Sequence, residues 1–225
     1  MMKYTRKTLS IKGYHNIPVP NSFIQQQHET HHLALVLPGI RYPVNGPVLY
    51  YPTNLLLAKR ADVLHVEYAY YQHPEFQDGS DEERLQWIGT DVVAAYRTAM
   101  SERSYIHLTL IGKSLGTLAM GHLLATETLP GQVEAIWLTP LLRHDHLHQQ
   151  ILACPYRSLL MIGTADLHYD AARLSEIQKG TEHETLTIDG ADHSLDLEDR
   201  VLPSIRVLEK LMCTLERFLS ATSLA

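Results

Sequence analysis

Short apolar runs recur along the chain and end at glycine, proline or polar turn residues. Such runs predict strands at residues 33–37, 63–66, 106–111, 135–138, 159–162 and, in a more polar form, 184–188. Continuous apolar runs of this length are typical of strands buried on both faces of a parallel sheet. Earlier in the chain, polar and apolar residues alternate over Thr8–Ile11, and Pro18 and Pro20 follow. This pattern predicts an irregular hairpin over residues 5–30.

The segments between these runs have helical periodicity. Ser80 with Glu83 three residues later is a capping box, which predicts the start of a helix. Its apolar positions are Leu85, Ile88, Val92, Tyr96 and Ala99, and those of a last helix are Val201, Ile205, Leu208, Met212, Leu215 and Leu219. Alternating strands and helices predict an α/β fold, with a mostly parallel central sheet and helices on both faces. No repeat or linker interrupts the pattern, so we expect a single domain over residues 1–225.

Charge and composition limit the classes of partner and the cellular location that we expect. The net charge of −6 disfavours nucleic acid and anionic membrane surfaces as partners. No apolar stretch approaches the roughly 18–20 residues of a membrane span, and residues 1–20 lack the apolar core of a signal peptide. Cys154 and Cys213 are too few for a disulfide framework. We therefore expect a cytoplasmic protein.

The strongest local motif is Gly112-Lys113-Ser114-Leu115-Gly116, which lies between a predicted strand and a predicted helix at residues 115–127. This context indicates a nucleophile elbow, in which a serine hydroxyl is exposed on a strained turn between small residues. A chance pentapeptide at a structural turn is the alternative. A phosphate loop would require glycine at the position of His107, and the preceding residues are strand.

A serine nucleophile needs a base and an orienting acid. Asp166 and His193 each follow a predicted strand, so both share the carboxyl edge of the sheet with Ser114. The alternatives are a helix-capping role for Asp166 and a solvated loop position for His193. Among neighbouring groups, Asp170 falls in the next helix, Asp192 adjoins His193 in sequence, and His168 comes too early in chain order.

The oxyanion of such a reaction needs two backbone donors. One is the amide of Leu115, directly after the serine. The other is expected from the loop after the first central strand, where we favour Ile40, with Gly39 as second choice. A plain strand-ending turn would show the same Pro38-Gly39 sequence.

Three further features have competing interpretations. His144, His146 and His148 alternate as metal ligands do in an extended chain, but a polar loop is favoured and no metal is expected. Cys154 precedes Pro155 without an elbow, which indicates a buried structural thiol. Six tyrosines follow the first two central strands and either wall a substrate pocket or pack their loops: Tyr42, Tyr50, Tyr51, Tyr68, Tyr70 and Tyr71.

The segments at residues 38–40, 112–116, 163–166 and 190–193 together resemble the α/β-hydrolase superfamily, in its small lidless branch near dienelactone-hydrolase-like and thioesterase-like members. The resemblance implies hydrolysis through an acyl-enzyme and does not fix the substrate. We expect a serine hydrolase that cleaves a carboxylic ester or thioester through an acyl-enzyme on Ser114. This chemistry requires no cofactor. The 19 residues between Leu138 and Ser158 are too few for a cap domain. The alternative is a non-catalytic protein of this fold that binds a small ligand or a protein partner.

Overall fold

The computed structural model describes residues 4–180 and 182–220. Eight strands form one sheet in the order β1-β2-β4-β3-β5-β6-β7-β8. Their bounds are β1 Tyr4–Lys7, β2 Asn21–Gln26, β3 His32–Leu37, β4 Asp62–Val66, β5 His107–Lys113, β6 Gln132–Leu138, β7 Arg157–Gly163 and β8 His183–Ile188. β2 pairs antiparallel with β1 and β4, and all other pairs are parallel. The predicted sheet is confirmed; the single-domain prediction also covers residues 1–3, 181 and 221–225, which lie outside the described residues.

Helices cover both faces of the sheet, as predicted. They are α1 Pro47–Ala58, α2 Pro74–Asp78, α3 Asp81–Met100, α4 Leu115–Thr126, α5 Asp145–Leu152, α6 Ala171–Ile177 and α7 Val201–Ser220. α1 and α7 pack with one apolar cluster, and α2 to α6 pack with the other. The predicted capping box at Ser80 opens α3, because the Ser80 hydroxyl accepts from the Glu83 amide and the Glu83 carboxylate accepts from the Ser80 amide.

The central strands are buried on both sides. In β3, Leu33 and Leu35 belong to the cluster under α2 to α6, whereas Ala34 and Val36 belong to the cluster under α1 and α7. This double burial explains why the sequence shows a continuous apolar run there. The parallel pairing places the carboxyl ends of β3, β5, β7 and β8 along one edge, where the loops that carry Ser114, Asp166 and His193 begin.

Two local predictions are refined by the structure. The predicted irregular hairpin over residues 5–30 is present as the antiparallel pair of β1 and β2, and Thr8–Ile11 lies in its connection, with Leu9 and Ile11 buried. The buried residues of α7 are Val207, Leu211, Leu215, Phe218 and Leu219, whereas Val201 and Ile205 are 75% and 55% exposed. Of the predicted stripe, Leu215 and Leu219 are buried, and Leu208 and Met212 are partly buried against the same cluster. The apolar face of α7 is broad, and the sequence does not tell which edge of it meets the sheet.

Between β6 and β7, residues 139–156 are all described and hold the one short helix α5, so no cap domain is inserted between these two strands, as predicted. Among the described helices, none combines the length and the apolarity that crossing a bilayer requires.

Candidate active site

Ser114 lies at a sharp turn between β5 and α4. Its backbone has φ 52° and ψ −116°, a conformation that L-residues rarely adopt and that persists only when the surroundings impose it. Close packing supplies this constraint. A Cβ atom on Gly116 would lie 1.9 Å from the Leu37 carbonyl oxygen, and one on Gly112 would lie 2.7 Å from the Gly116 carbonyl oxygen. Small residues are therefore required on both sides of Ser114, as the motif predicts.

A chain of hydrogen bonds joins Ser114, His193 and Asp166. Ser114 Oγ lies 2.8 Å from His193 Nε2, and His193 Nδ1 lies 2.8 Å from Asp166 Oδ2. The second carboxylate oxygen of Asp166 accepts from the His168 amide at 2.8 Å. The Asp166 side chain is fully buried, whereas the His193 side chain is 31% exposed. This arrangement orients the imidazole with Nδ1 toward the carboxylate and Nε2 toward the hydroxyl.

The loops after β7 and β8 are pressed together, which sets the distance between Asp166 and His193. A Cβ atom on Gly163 would lie 2.0 Å from the Ala191 carbonyl oxygen. The Ala165 amide donates to that same oxygen at 3.0 Å. The Thr164 hydroxyl further accepts from the Gly190 amide at 2.8 Å. Backbone contacts thus hold the two loops in one register.

The neighbouring groups that compete for these roles are engaged elsewhere. Asp170 caps α6 by accepting from two amides at its start. Asp192 accepts from the amides of Ser194 and Asp196 within its own loop. The His168 ring lies 5.3 Å from the His193 ring, so it neighbours the hydrogen-bonded chain without joining it.

The two amides proposed for the oxyanion lie beside Ser114. Leu115 is the first residue of α4, where helix amides lack intrahelical acceptors. The loop after β3 lies against the serine, since a Cβ atom on Gly39 would be 3.2 Å from Ser114 Cβ. Within residues 4–180 and 182–220, neither the Leu115 amide nor the Ile40 amide donates a hydrogen bond to the protein. Both residues line the same cavity.

Lys113 is a site residue that the sequence analysis missed. Its side chain is buried, and Nζ donates to Thr139 Oγ1 at 3.1 Å and to the His193 carbonyl oxygen at 2.9 Å. Nζ also lies 4.5 Å from the centre of the Tyr42 ring. Burial lowers the pKa of Lys113 from 10.5 to about 8, against the attraction of Asp166 and two further carboxylates. The signal in the sequence was a lysine at the end of a buried strand.

The cavity beside Ile40 and Leu115 has a volume of about 460 Å³. Its other walls are Arg41, Tyr71, Phe76, Gln77, Asp81, Arg84, Leu85, Ile88, Leu118 and His144. Two arginines, one histidine, one aspartate and mostly apolar side chains therefore line a cavity that borders Leu115, the residue directly after Ser114.

Only one of the predicted pocket tyrosines, Tyr71, lines this cavity. Tyr70 is instead buried in the core, with its hydroxyl on Asp91 at 3.0 Å. Tyr50 and Tyr51 are about half exposed on α1, and Tyr42 packs under Lys113. The prediction that Tyr42, Tyr50, Tyr51 and Tyr70 line the substrate pocket is therefore corrected. All four follow the first two central strands in sequence, but they lie on α1, in the core or against Lys113.

The three alternating histidines do not converge on a common point. His144 caps α5 through the Leu147 amide, His146 lies 3.0 Å from Gln150 Nε2, and His148 lies 3.3 Å from Glu176. They begin and continue helix α5, which corrects the interpretation of this segment as a loop. Cys154 is buried, and burial raises the pKa of its thiol, as expected of a structural cysteine.

No protein-family model matches the chain, and a search of the curated proteins found no match. Solved structures are similar in fold. The esterase Pf2001 of Pyrococcus furiosus is 13% identical in sequence, with a TM-score of 0.71. The match covers 98% of this chain and 93% of the Pf2001 chain. Est1E of Butyrivibrio proteoclasticus, solved with ferulic acid bound, is 12% identical with a TM-score of 0.68 and coverages of 92% and 96%. An α/β serine hydrolase homologue of Coxiella burnetii is 13% identical with a TM-score of 0.61 and coverages of 86% and 91%. With this sheet order and these structural neighbours, the chain has the fold of the α/β hydrolases.

Proposed function

We propose that this protein is a serine hydrolase that cleaves a small carboxylic ester or thioester through an acyl-enzyme on Ser114. The observation that carries the proposal is the unbroken hydrogen-bond chain from Ser114 through His193 to Asp166, with 2.8 Å at each contact of the imidazole. A ligand-binding protein of the same fold does not need this chain. The esterases among the structural neighbours support hydrolysis as the reaction class.

In the first half of the reaction, His193 Nε2 accepts the Ser114 proton as Oγ attacks the substrate carbonyl carbon. The amides of Leu115 and Ile40 donate to the oxyanion of the tetrahedral intermediate. The imidazolium then protonates the leaving alcohol or thiol, and the carbon–oxygen or carbon–sulfur bond breaks. Asp166 keeps the Nδ1 proton in place and stabilises the imidazolium charge.

In the second half, water replaces the leaving group. His193 takes a proton from the water, the hydroxide attacks the acyl-enzyme carbonyl, and Ser114 recovers its proton as the acid departs. Each step uses groups that the chain itself supplies. The proposal therefore involves no cofactor.

The size and lining of the cavity beside the two amides favour a substrate with a compact acyl or alcohol group. Its aromatic walls, Tyr71 and Phe76, are suited to a flat or short apolar group, and Arg41 lies at the exposed side. The ferulic acid bound to Est1E is an acid of this compact, aromatic kind. We propose a small-molecule acyl ester or thioester as substrate.

Labelling with a fluorophosphonate tests the assignment of Ser114. We expect one adduct per chain, mapped to the peptide that contains Ser114, and none on S114A. Ser175→Ala, which changes an exposed serine on α6, is the matched control and should label like the wild type. An adduct on another serine, or none on a folded wild-type chain, contradicts the proposal and favours the binding function.

A further inference from the structure

The His168 ring lies against the His193 ring at the candidate active site. The two ring centres are 5.3 Å apart and the ring planes make an angle of 57°, a separation within the range of packed aromatic rings. His168 is half-buried, and it is the second residue after Asp166 in the loop that follows β7. It therefore lies beside an imidazole whose own side chain is 31% exposed.

Asp166 orients both rings. Its Oδ2 atom lies 2.8 Å from His193 Nδ1, and its Oδ1 atom accepts from the His168 amide at 2.8 Å. The backbone turns at this point, because the Tyr169 amide donates to the Asp166 carbonyl oxygen at 2.9 Å. Arg143 in turn donates to the Tyr169 carbonyl oxygen at 3.3 Å. Hydrogen bonds on both sides of His168 thus fix its place in the loop.

His168 contacts His193 as a neutral ring at neutral pH. Burial lowers the pKa of His168 from 6.5, against the attraction of Asp166, and the nearby His193 and Arg143 lower it further. Within residues 4–180 and 182–220, neither ring nitrogen of His168 has a hydrogen-bond partner in the protein. The contact is therefore one of packing, and it places no second positive charge beside the His193 imidazolium that forms in the proposed reaction.

We propose that His168 is a positioning residue for His193, whose ring restricts the imidazole to the orientation that faces both Asp166 and Ser114. This inference rests on the proposed hydrolase function and adds a residue to it. Catalytic groups keep a productive geometry when packing as well as hydrogen bonds limits their rotamers. His168 supplies the packing, and Asp166 supplies the hydrogen bond.

The effect of His168 should be largest after Ser114 has been acylated. Before acylation, hydrogen bonds at both nitrogens hold the His193 imidazole. Once Ser114 carries an acyl group, its hydroxyl proton is gone and the bond to Nε2 is lost. The bond to Asp166 and the packing of His168 then hold the ring while Nε2 takes a proton from water. Deacylation should therefore depend on His168 more than acylation does.

His168→Ala and His168→Phe test this role. After a burst with p-nitrophenyl acetate, mass spectrometry follows the loss of the acetyl group from Ser114, and we expect this loss to be about tenfold slower in H168A. Fluorophosphonate labelling, which reports the attack by Ser114, should stay within about threefold of the wild-type rate. H168F restores a ring and should deacylate at close to the wild-type rate. His28→Ala, which removes an exposed histidine between β2 and β3, is the matched control and should match the wild type in both measurements.

Three results would overturn the proposal: unchanged deacylation in a folded H168A, equal slowing of labelling and deacylation, or no recovery in H168F. If H168A fails to fold, NMR of the acetylated wild type decides the question. Contacts between the His168 and His193 rings should persist there, and their loss contradicts the positioning role. Labelled Ser114 with unchanged H168A contradicts this inference alone, whereas an unlabelled wild type contradicts the hydrolase function and this inference with it.

Discussion

Each oxygen of the Asp166 carboxylate accepts one hydrogen bond, Oδ2 from the His193 ring and Oδ1 from the His168 amide. Asp166→Asn replaces one of the acceptor oxygens by an amide that donates, which favours the wrong imidazole tautomer. We expect kcat for a p-nitrophenyl ester to fall roughly a thousandfold or more with the fold retained. Asp170→Asn is the control, because asparagine caps α6 about as well as aspartate. Near-wild-type turnover of D166N would mean that another group orients His193.

Lys113 connects three parts of the site that are distant in sequence. Its ammonium contacts the His193 backbone, Thr139 at the end of β6, and the ring of Tyr42 in the loop after β3. None of these contacts is an ion pair, although the carboxylates of Asp166, Asp192 and Asp196 attract the Lys113 charge from a distance and raise its pKa. A buried cation with neutral hydrogen-bond partners costs desolvation energy. Lys113 therefore contributes more to the position of His193 than to stability.

Lys113→Met separates these two effects. We expect kcat about tenfold lower or more at neutral pH with little change in KM, because a displaced His193 affects the chemical step. The free energy of unfolding should change by about 1 kcal/mol or less, since relief of desolvation offsets the lost hydrogen bonds. Lys179→Met, at an exposed position, should match the wild type in both measurements. A parallel loss of stability and activity would assign Lys113 a structural role only.

The pH dependence of Lys113 provides a second measurement. Its pKa of about 8 lies below the value near 10.4 that it has in the unfolded chain. Between these values the unfolded state binds more protons, so stability relative to K113M should rise with pH. Loss of the charge weakens the contact with Tyr42, so wild-type kcat should decline as pH passes about 8. K113M should show no such decline.

The proximity of Ser114, Asp166 and His193 was predictable, because each residue follows a strand and the carboxyl ends of parallel strands lie at one edge of the sheet. The role of Lys113 was not, because its partners come from the ends of β3, β6 and β8. The same applies to the contacts among His32, His107 and Glu134, which are separated by up to 102 positions and meet only through the strand register.

Among the elements, β3, β5 and α4 make the tightest crossing at the site, and Gly116 lies at its centre. Gly116→Ala places a methyl group 1.9 Å from the Leu37 carbonyl oxygen, a backbone atom that cannot rotate away. We expect a loss of about 3 kcal/mol or more in the free energy of unfolding, or failure to fold. Gly131→Ala is the matched control, since nothing lies within 4 Å of its added methyl group, and it should stay within about 0.5 kcal/mol. Equal stability of the two variants would contradict the tight crossing.

Helices and strands were predictable where the side chains on both faces of an element are buried, and less predictable where only one face is buried. The doubly buried strands followed from their apolar runs. Helix α1 did not, because Pro47 and Pro52 punctuate it and because its tyrosines follow a strand as loop residues do. Pro47 is compatible with the first helical turn, where a missing amide costs nothing. For α7 the periodicity predicted the helix, and four of its six apolar positions pack against the core, whereas Val201 and Ile205 near its start face solvent.

For the molecule as a whole, the short connection through α5 limits the apolar surface available to a substrate. Each acyl methylene left in water forgoes roughly 0.8 kcal/mol. In a p-nitrophenyl series from acetate to palmitate, we expect kcat/KM to favour short or compact acyl groups. A value that kept rising past about ten carbons would contradict this expectation and would require an apolar tunnel that extends beyond the cavity beside Leu115.

The two outer strands of the sheet have a consequence for self-association. β1 forms one edge and is exposed along its length, and β8 forms the other. Unpaired edges attract strands of other molecules, and charged side chains on an edge strand discourage such pairing. β1 carries Arg6 and Lys7, and on β8 the Glu184 carboxylate binds Arg157 and Arg217. Addition of a foreign strand at either edge would bury or displace these charges, so the sheet is protected against growth into aggregates.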